Sequence, residues 1–158
     1  MEFYCTYDSP IGCLTLASDG ENLTGLLFDR EIPREDELEL FDRVRQWLDA
    51  YFRGENPGVE AIPLKAEGTA FQKVIWNLLR EIPYGETRTY GELAKEAARI
   101  LGKEKMSAQA VGGAVGSNPI SILIPCHRCV GAKGQLTGYA WGLERKKWLL
   151  ELEHGGKV

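Results

Sequence analysis

NPGVEAIPLKAEGT, residues 56–69, decides how this chain is read. Two prolines and two glycines sit between segments of regular hydrophobic spacing, which is the composition of a connection. It divides the 158 residues into two lobes, with the boundary expected between residues 60 and 61. The expected fold class is an α/β N-terminal lobe over 1–60, a three-stranded antiparallel sheet plus a helix. A mostly α C-terminal lobe with a helix-turn-helix follows over 61–158. The length suits one ordinary domain or two small lobes sharing an interface.

On the N-terminal side, EFYCTYD, GCLTLASD and NLTGLLF carry β-branched and aromatic residues around turn signals at Ser9–Pro10 and Asp19–Gly20. That pattern predicts a three-stranded meander. REDELELFDRVRQWLDAYFRGE, residues 34–55, then spaces Leu38, Phe41, Val44, Trp47, Leu48 and Tyr51 by threes and fours. The spacing predicts one helix with an apolar stripe and an acidic outer face.

On the C-terminal side, GTAFQKVIWNLLREIP places Phe71, Val74, Ile75, Leu78 and Leu79 on one helical face and stops at Pro83. TRTYGELAKEAARILG follows, with Thr89 and Glu92 spaced as a capping box. After the break KEKM, Ser107 can cap SAQAVGGAVGSNP, and this pair of helices predicts a helix-turn-helix. ISILI reads as a short buried strand, and LERKKWLLELE as a final amphipathic helix over 143–153.

The second helix of the pair is unusual. Ala108, Ala110, Gly112, Gly113, Ala114 and Gly116 leave it almost bare, and each helical glycine costs roughly 1 kcal/mol against alanine. Something must approach its backbone closely. Two readings stand: a neighbouring helix of the protein, or a nucleic-acid groove.

Composition narrows the setting. With 44% hydrophobic and 27% charged residues, the chain should bury a core and stay in solution. No apolar run nears the roughly 20 residues that span a bilayer. MEFYCTYDSP reads as a strand start and not as a signal peptide. A cytoplasmic protein with no membrane partner is expected. There Cys5, Cys13, Cys126 and Cys129 are free thiols, although a Cys5–Cys13 bridge across the hairpin is conceivable. Residues 1–60 hold 14 acidic and 5 basic side chains, a net −9, against 9 acidic and 14 basic, a net +5, in residues 61–158. That asymmetry is a hint of polyanion binding by the positive half.

ILIPCHRCVG, residues 122–131, concentrates the reactive groups. A CxxC redox pair or metal half-site is one reading, but zinc generally needs four ligands and no second clustered pair exists. A hydrolase nucleophile with His127 as base is another. Neighbouring residues on an extended segment point to opposite sides, so Cys126 and His127 would need a bridging water. His127 would also need an orienting group, for which Glu153 is a better candidate than His154. A merely buried cysteine beside a surface histidine is the third reading.

A fourth reading comes from resemblance. IPCHRCVG, with NPISILI before it and GYAWGLERKKWLL after it, is similar to the active-site region of the O6-alkylguanine-DNA alkyltransferases, whose signature is PCHR. The likeness continues through IPYGETRTYGELA and AVGGAVGSNP and covers about residues 68–153. The N-terminal lobe matches only in size and in the order of strands and helix.

The resemblance implies a single-turnover DNA-repair methyltransferase without a cofactor. Cys126 would be the alkyl acceptor, activated through a water by His127, which Glu153 orients, with Asn118 bracing the turn. The partner implied is double-stranded DNA carrying O6-alkylguanine, approached by a monomer through the minor groove, with the lesion flipped out. Tyr90, Ser107, Gln109, Ala110, Gly113 and Arg128 fall at DNA-binding positions, Arg128 chiefly as a structural tie. Pro125, Cys129, Tyr139, Ala140 and Trp141 fall around the base pocket. The related alternative is a non-catalytic lesion binder, but such relatives lack the acceptor cysteine. A regulator reading the major groove is disfavoured by the bare Gly/Ala helix.

Two departures from the family pattern stand out. Gln109 occupies the place of an arginine finger, which would weaken base extraction or DNA affinity. Trp141 stands where many relatives have glycine, so good methyl transfer and poor benzyl transfer are expected. Cys5 and Cys13 resemble part of an N-terminal metal site, incomplete without a histidine, and no structural zinc is expected.

Overall fold

In the computed structural model, which describes residues 2–155, the expected meander forms. β1 (Phe3–Ser9), β2 (Gly12–Ser18) and β3 (Leu23–Phe28) pair antiparallel in that order. The Ser9 hydroxyl shapes the first turn, donating to Gly12 O at 2.6 Å. Asp19 Oδ1 shapes the second, accepting from Glu21 N and Asn22 N. Leu14 and Leu16 of β2 face Phe28 and Leu26 of β3, and all four are fully buried.

α1 (Glu39–Phe52) buries Phe41, Val44, Trp47, Leu48 and Tyr51 of the stripe read from the sequence, while Leu38 stands before the helix as its extended N-cap. It starts five residues later than the acidic run suggested. Asp36 N donates to Tyr4 O at 2.7 Å, Tyr4 N donates back to Asp36 Oδ2 at 2.9 Å, and the Thr6 hydroxyl donates to Glu35 Oε1 at 2.6 Å. The carboxylates that would have opened the helix are held beside β1 instead.

Residues 63–65 are more than a linker. Leu23 N donates to Pro63 O and Lys65 N to Leu23 O. Further along the same strand, Leu26 N donates to Pro119 O and Ser121 N to Leu26 O. These short pieces pair with β3, a strand that otherwise has β2 as its sheet neighbour. The chain accordingly divides into two compact units. One comprises the residues through Glu67 with Pro119–Ser121, the other Gly68–Asn118 and the residues from Ile122 onward.

The expected ISILI strand does not form. Only Ile120 makes a bridge, to Leu26, and residues 121–124 turn. Ile122 adopts φ 71°, a conformation costing about 1–3 kcal/mol for a β-branched residue. Ile120, Ile122, Leu123 and Ile124 are all buried, so the aliphatic run reported burial and not extension.

In the second unit, α2 (Ala70–Arg80), α3 (Tyr90–Leu101) and α4 (Ala108–Gly116) form a helical cluster, and α5 (Leu143–Glu153) ends it. Thr89 and Glu92 make the expected capping box, and Thr69 with Gln72 makes a second one. Ser107 caps α4 by accepting from Ala110 N. Trp76 Nε1 donates to Ala114 O at 2.8 Å and pins α2 to α4. β4 (Arg88–Thr89) pairs in parallel with β5 (Cys129–Val130), which brings the start of α3 beside the cysteine segment. Among the described residues no helix is long and apolar enough to cross a membrane.

Candidate active site

Pro125 leads into one turn of 3-10 helix, Cys126–Arg128, closed by Cys129 N donating to Cys126 O. Every residue from Ile120 to Gly131 is buried. Asn118 braces the turn by donating from Nδ2 to Ile124 O at 2.7 Å. Burial pushes the Cys126 thiol up, more than hydrogen bonds from Asn118 and Tyr139 and the charge of Lys146 pull it down. The resting sulfur is therefore a protonated thiol.

The imidazole next in sequence is held from α5. His127 Nε2 lies 2.6 Å from Glu153 Oε2, both side chains inaccessible to solvent. Arg128 grips the same carboxylate, Nε to Oε1 at 2.7 Å and Nη2 to Oε2 at 3.0 Å, and donates from Nη1 to Ile82 O. Burial would raise the Glu153 carboxyl, but its pairing with His127 and Arg128 outweighs that and holds it well below the carboxylate range. Burial lowers His127 despite the Glu153 charge, so its imidazole is neutral at physiological pH. Arg128 is buried, and its guanidinium is engaged within the protein.

Lys146 was not singled out from the sequence. Its side chain is fully buried, and Nζ donates to Gly138 O at 3.0 Å and Thr137 O at 3.4 Å. The ammonium also lies 5.8 Å from the Tyr90 ring centroid, a cation–π contact. Burial lowers its pKa, while the charges of Cys129 and Cys126 act to raise it. A signal existed: Lys146, Leu149, Leu150 and Glu153 form one buried stripe on α5, two of them charged.

The pocket and groove residues divide by exposure. Pro125 and Cys129 are buried, Tyr139 and Trp141 half-buried, and Ala140 exposed. Tyr90 is half-buried, its hydroxyl donating to Thr137 O at 3.2 Å and its ring lying over Gly112. Val111, Ala114 and Val115 form the inner face of α4. Ser107, Gln109, Ala110, Gly113 and Gly116 lie on the outside. A Cβ built on Gly113 or Gly116 would meet no atom within 4 Å, so internal packing does not demand these glycines.

The N-terminal thiols do not pair. Cys5 stands opposite Leu16 and Cys13 opposite Asp8, so Cys13 lies three residues from the partner of Cys5 and points to the other face of the sheet. Both are free. Among the described residues no group of three or more His, Cys, Asp or Glu side chains is placed to hold a metal ion.

Comparison with known proteins places this geometry in a family. Residues 3–66 match the "6-O-methylguanine DNA methyltransferase, ribonuclease-like domain" and residues 70–155 the "6-O-methylguanine DNA methyltransferase, DNA binding domain". The chain is 51% identical to the methylated-DNA–protein-cysteine methyltransferase of Haemophilus influenzae, covering 96% of this chain and 86% of that one. It is 48% identical to the protein of the same name from Methanosarcina acetivorans, covering 96% and 97%. Among solved structures, that of the Mycobacterium tuberculosis OGT in complex with DNA superposes with a TM-score of 0.85 at 45% identity, over 97% of this chain and 93% of that one. Both lobes are matched, the N-terminal one included, and the chain belongs to the 6-O-methylguanine-DNA methyltransferase family.

Proposed function

We propose that this protein repairs duplex DNA by taking the alkyl group of O6-alkylguanine onto Cys126, once per molecule. The observation that carries the reading is the buried Cys126 thiol, set in a turn that Asn118 braces, beside a His127 whose Nε2 is committed to Glu153. A carboxylate at Nε2 fixes the proton there and makes Nδ1 the basic nitrogen. Through a water, Nδ1 takes the thiol proton as the sulfur attacks the alkyl carbon. The S–C bond forms as the C–O6 bond breaks, and guanine leaves as its anion and takes up one proton. The thioether offers no comparable leaving group, so the protein is spent.

DNA binding falls to residues 61–158, the half with net charge +5. The exposed face of α4, with Ser107, Gln109, Ala110 and Gly113, enters the minor groove, where a helix without bulk can sit deep. Gln109 fills the vacated stack without the charge of an arginine. Tyr90 borders the extruded nucleotide, and Pro125, Cys129, Tyr139, Ala140 and Trp141 line the base pocket. The protein acts as a monomer in the cytoplasm and requires no metal.

Intact mass after incubation with a duplex containing O6-methylguanine, followed by peptide mapping, tests this. One methyl group on Cys126, stoichiometric and without turnover, is expected. An unchanged mass with retained lesion binding would make the protein a lesion reader instead.

A further inference from the structure

We infer that Cys126 and Cys129 are a peroxide-oxidisable pair, closing a reversible disulfide that locks the acceptor sulfur away from DNA. Cys129 contributes no side-chain chemistry to alkyl transfer, yet its thiol is fully buried next to the reactive turn. The two cysteines bracket a single 3-10 turn whose closing hydrogen bond joins Cys129 N to Cys126 O. In such a turn the side chains at i and i+3 eclipse, and three residues at about 2.0 Å rise set the Cα atoms roughly 6 Å apart. Disulfides take Cα separations of about 4.4–6.8 Å. The thiols also share one electrostatic neighbourhood: the charge of Cys126 raises Cys129, and the charges of both act on Lys146. Cys5 and Cys13 have no such geometry, being opposite Leu16 and Asp8.

The chemistry balances with hydrogen peroxide as the two-electron oxidant. Cys126, 4% exposed against 0% for Cys129, is the sulfur of the two that peroxide meets first. It attacks one peroxide oxygen, the O–O bond breaks, and a sulfenic acid and water result. The Cys129 sulfur then attacks the sulfenyl sulfur. The S–S bond forms, the S–O bond breaks, and a second water leaves with the Cys129 proton. Burial lifts the Cys129 thiol to about 12, which slows this second step, and the Lys146 ammonium partly offsets the effect.

The loss of repair capacity rests on Cys126 being the acceptor, but the disulfide itself does not. Arg128 lies between the two cysteines, so trypsin separates residues 106–128 from residues 129–133. Peroxide treatment, alkylation of free thiols and tryptic mapping should show these two peptides joined, lighter by two hydrogens and separable by dithiothreitol. Methyl-acceptor capacity should vanish with the linkage and return with reduction. In Cys129→Val, measured against its own starting capacity, peroxide should drive Cys126 to the sulfinic acid with no recovery. Sulfinic acid at Cys126 of the native protein with Cys129 free, or equal recovery in Cys129→Val, would overturn the lock. Joined peptides with undiminished methyl transfer would overturn it too, and would remove Cys126 as acceptor. A protein that never accepts methyl but still joins the peptides refutes the acceptor assignment alone.

Discussion

His127 Nε2 and Glu153 Oε2 stand 2.6 Å apart, and the same carboxylate takes two hydrogen bonds from Arg128. One buried anion thus orients the imidazole and neutralises the guanidinium beside it. Replacing Glu153 with glutamine removes the charge both depend on. An amide can donate to Nε2 and force the proton to Nδ1, the wrong tautomer for deprotonating Cys126. Glu153→Gln should slow methyl transfer by roughly 10²–10⁴-fold, the usual worth of a general base. It should also cost about 3–5 kcal/mol, because Arg128 is left buried without its partner. Single-turnover rates at a temperature where the variant is folded, with a parallel denaturant titration, check both. An unchanged rate would exclude His127 as the base.

Acid should unfold the protein early, for two reasons of the same sign. Burial lowers His127 in the fold below its unfolded value of about 6.5, so as pH drops through 6.5 the unfolded chain binds a proton that the fold resists. Glu153 is held below its unfolded value of about 4.3, so its contribution is complete above that pH and is lost as pH falls further. Stability should be level above about pH 7, decline from about 6.5 and fall more steeply below about 4.5. Denaturant midpoints between pH 8 and pH 4 measure this, and His127→Gln should lose the first decline.

The rate should show the opposite contrast. With Cys126 protonated and His127 already neutral, methyl transfer by the native protein should be nearly independent of pH between about 7 and 8. In His127→Gln the reaction must await spontaneous thiolate, so the rate should fall and then climb close to tenfold per pH unit. A flat profile in the variant would mean that another group takes the proton.

Much of this was legible in the sequence, and the failures have causes. Thr89 with Glu92 and Ser107 announced α3 and α4 because capping is local chemistry. The pairing of His127 with Glu153 was legible because an imidazole base needs an orienting acid. The start of α1 was misread because Glu35 and Asp36, sound first-turn residues, are engaged by Tyr4 and Thr6, which lie about 30 residues away in sequence. ISILI was misread because burial and extension leave the same aliphatic trace, and nothing in a β-branched residue announces the positive φ that Ile122 adopts. Lys146 was hidden among Arg145 and Lys147, although its place on the stripe with Leu149, Leu150 and Glu153 marked it.

Lys146 offers a separation of activity from stability. Its ammonium lowers both thiols, and burial opposes its charge. Methionine keeps the length and removes that desolvation cost, while the exposed Thr137 and Gly138 carbonyls can turn to water. Lys146→Met should therefore melt no lower than the native protein. Each unit by which Cys126 rises removes about a factor of ten in thiolate. Methyl transfer should fall, and iodoacetamide labelling of Cys126 should slow by the same factor. A fall in transfer without slower labelling would assign Lys146 to DNA or base contact instead.

Gly113 separates folding from DNA binding in the other direction. It lies mid-helix on the exposed face of α4 with no atom within 4 Å of a built Cβ. Alanine there should stabilise the fold by about 0.5–1 kcal/mol, since the fold gains helix propensity and meets no clash. Leucine should also fold, but its bulk would stand between the α4 backbone and the floor of a groove. Gly113→Leu should bind duplex DNA on the order of tenfold more weakly, roughly 1.4 kcal/mol, while melting no lower than the native protein. Gly113→Ala should fall between the two in affinity. Fluorescence anisotropy with a labelled duplex at fixed salt, beside thermal melts, measures both. If leucine leaves affinity intact, α4 does not enter the groove, and its bareness has no account in either packing or recognition.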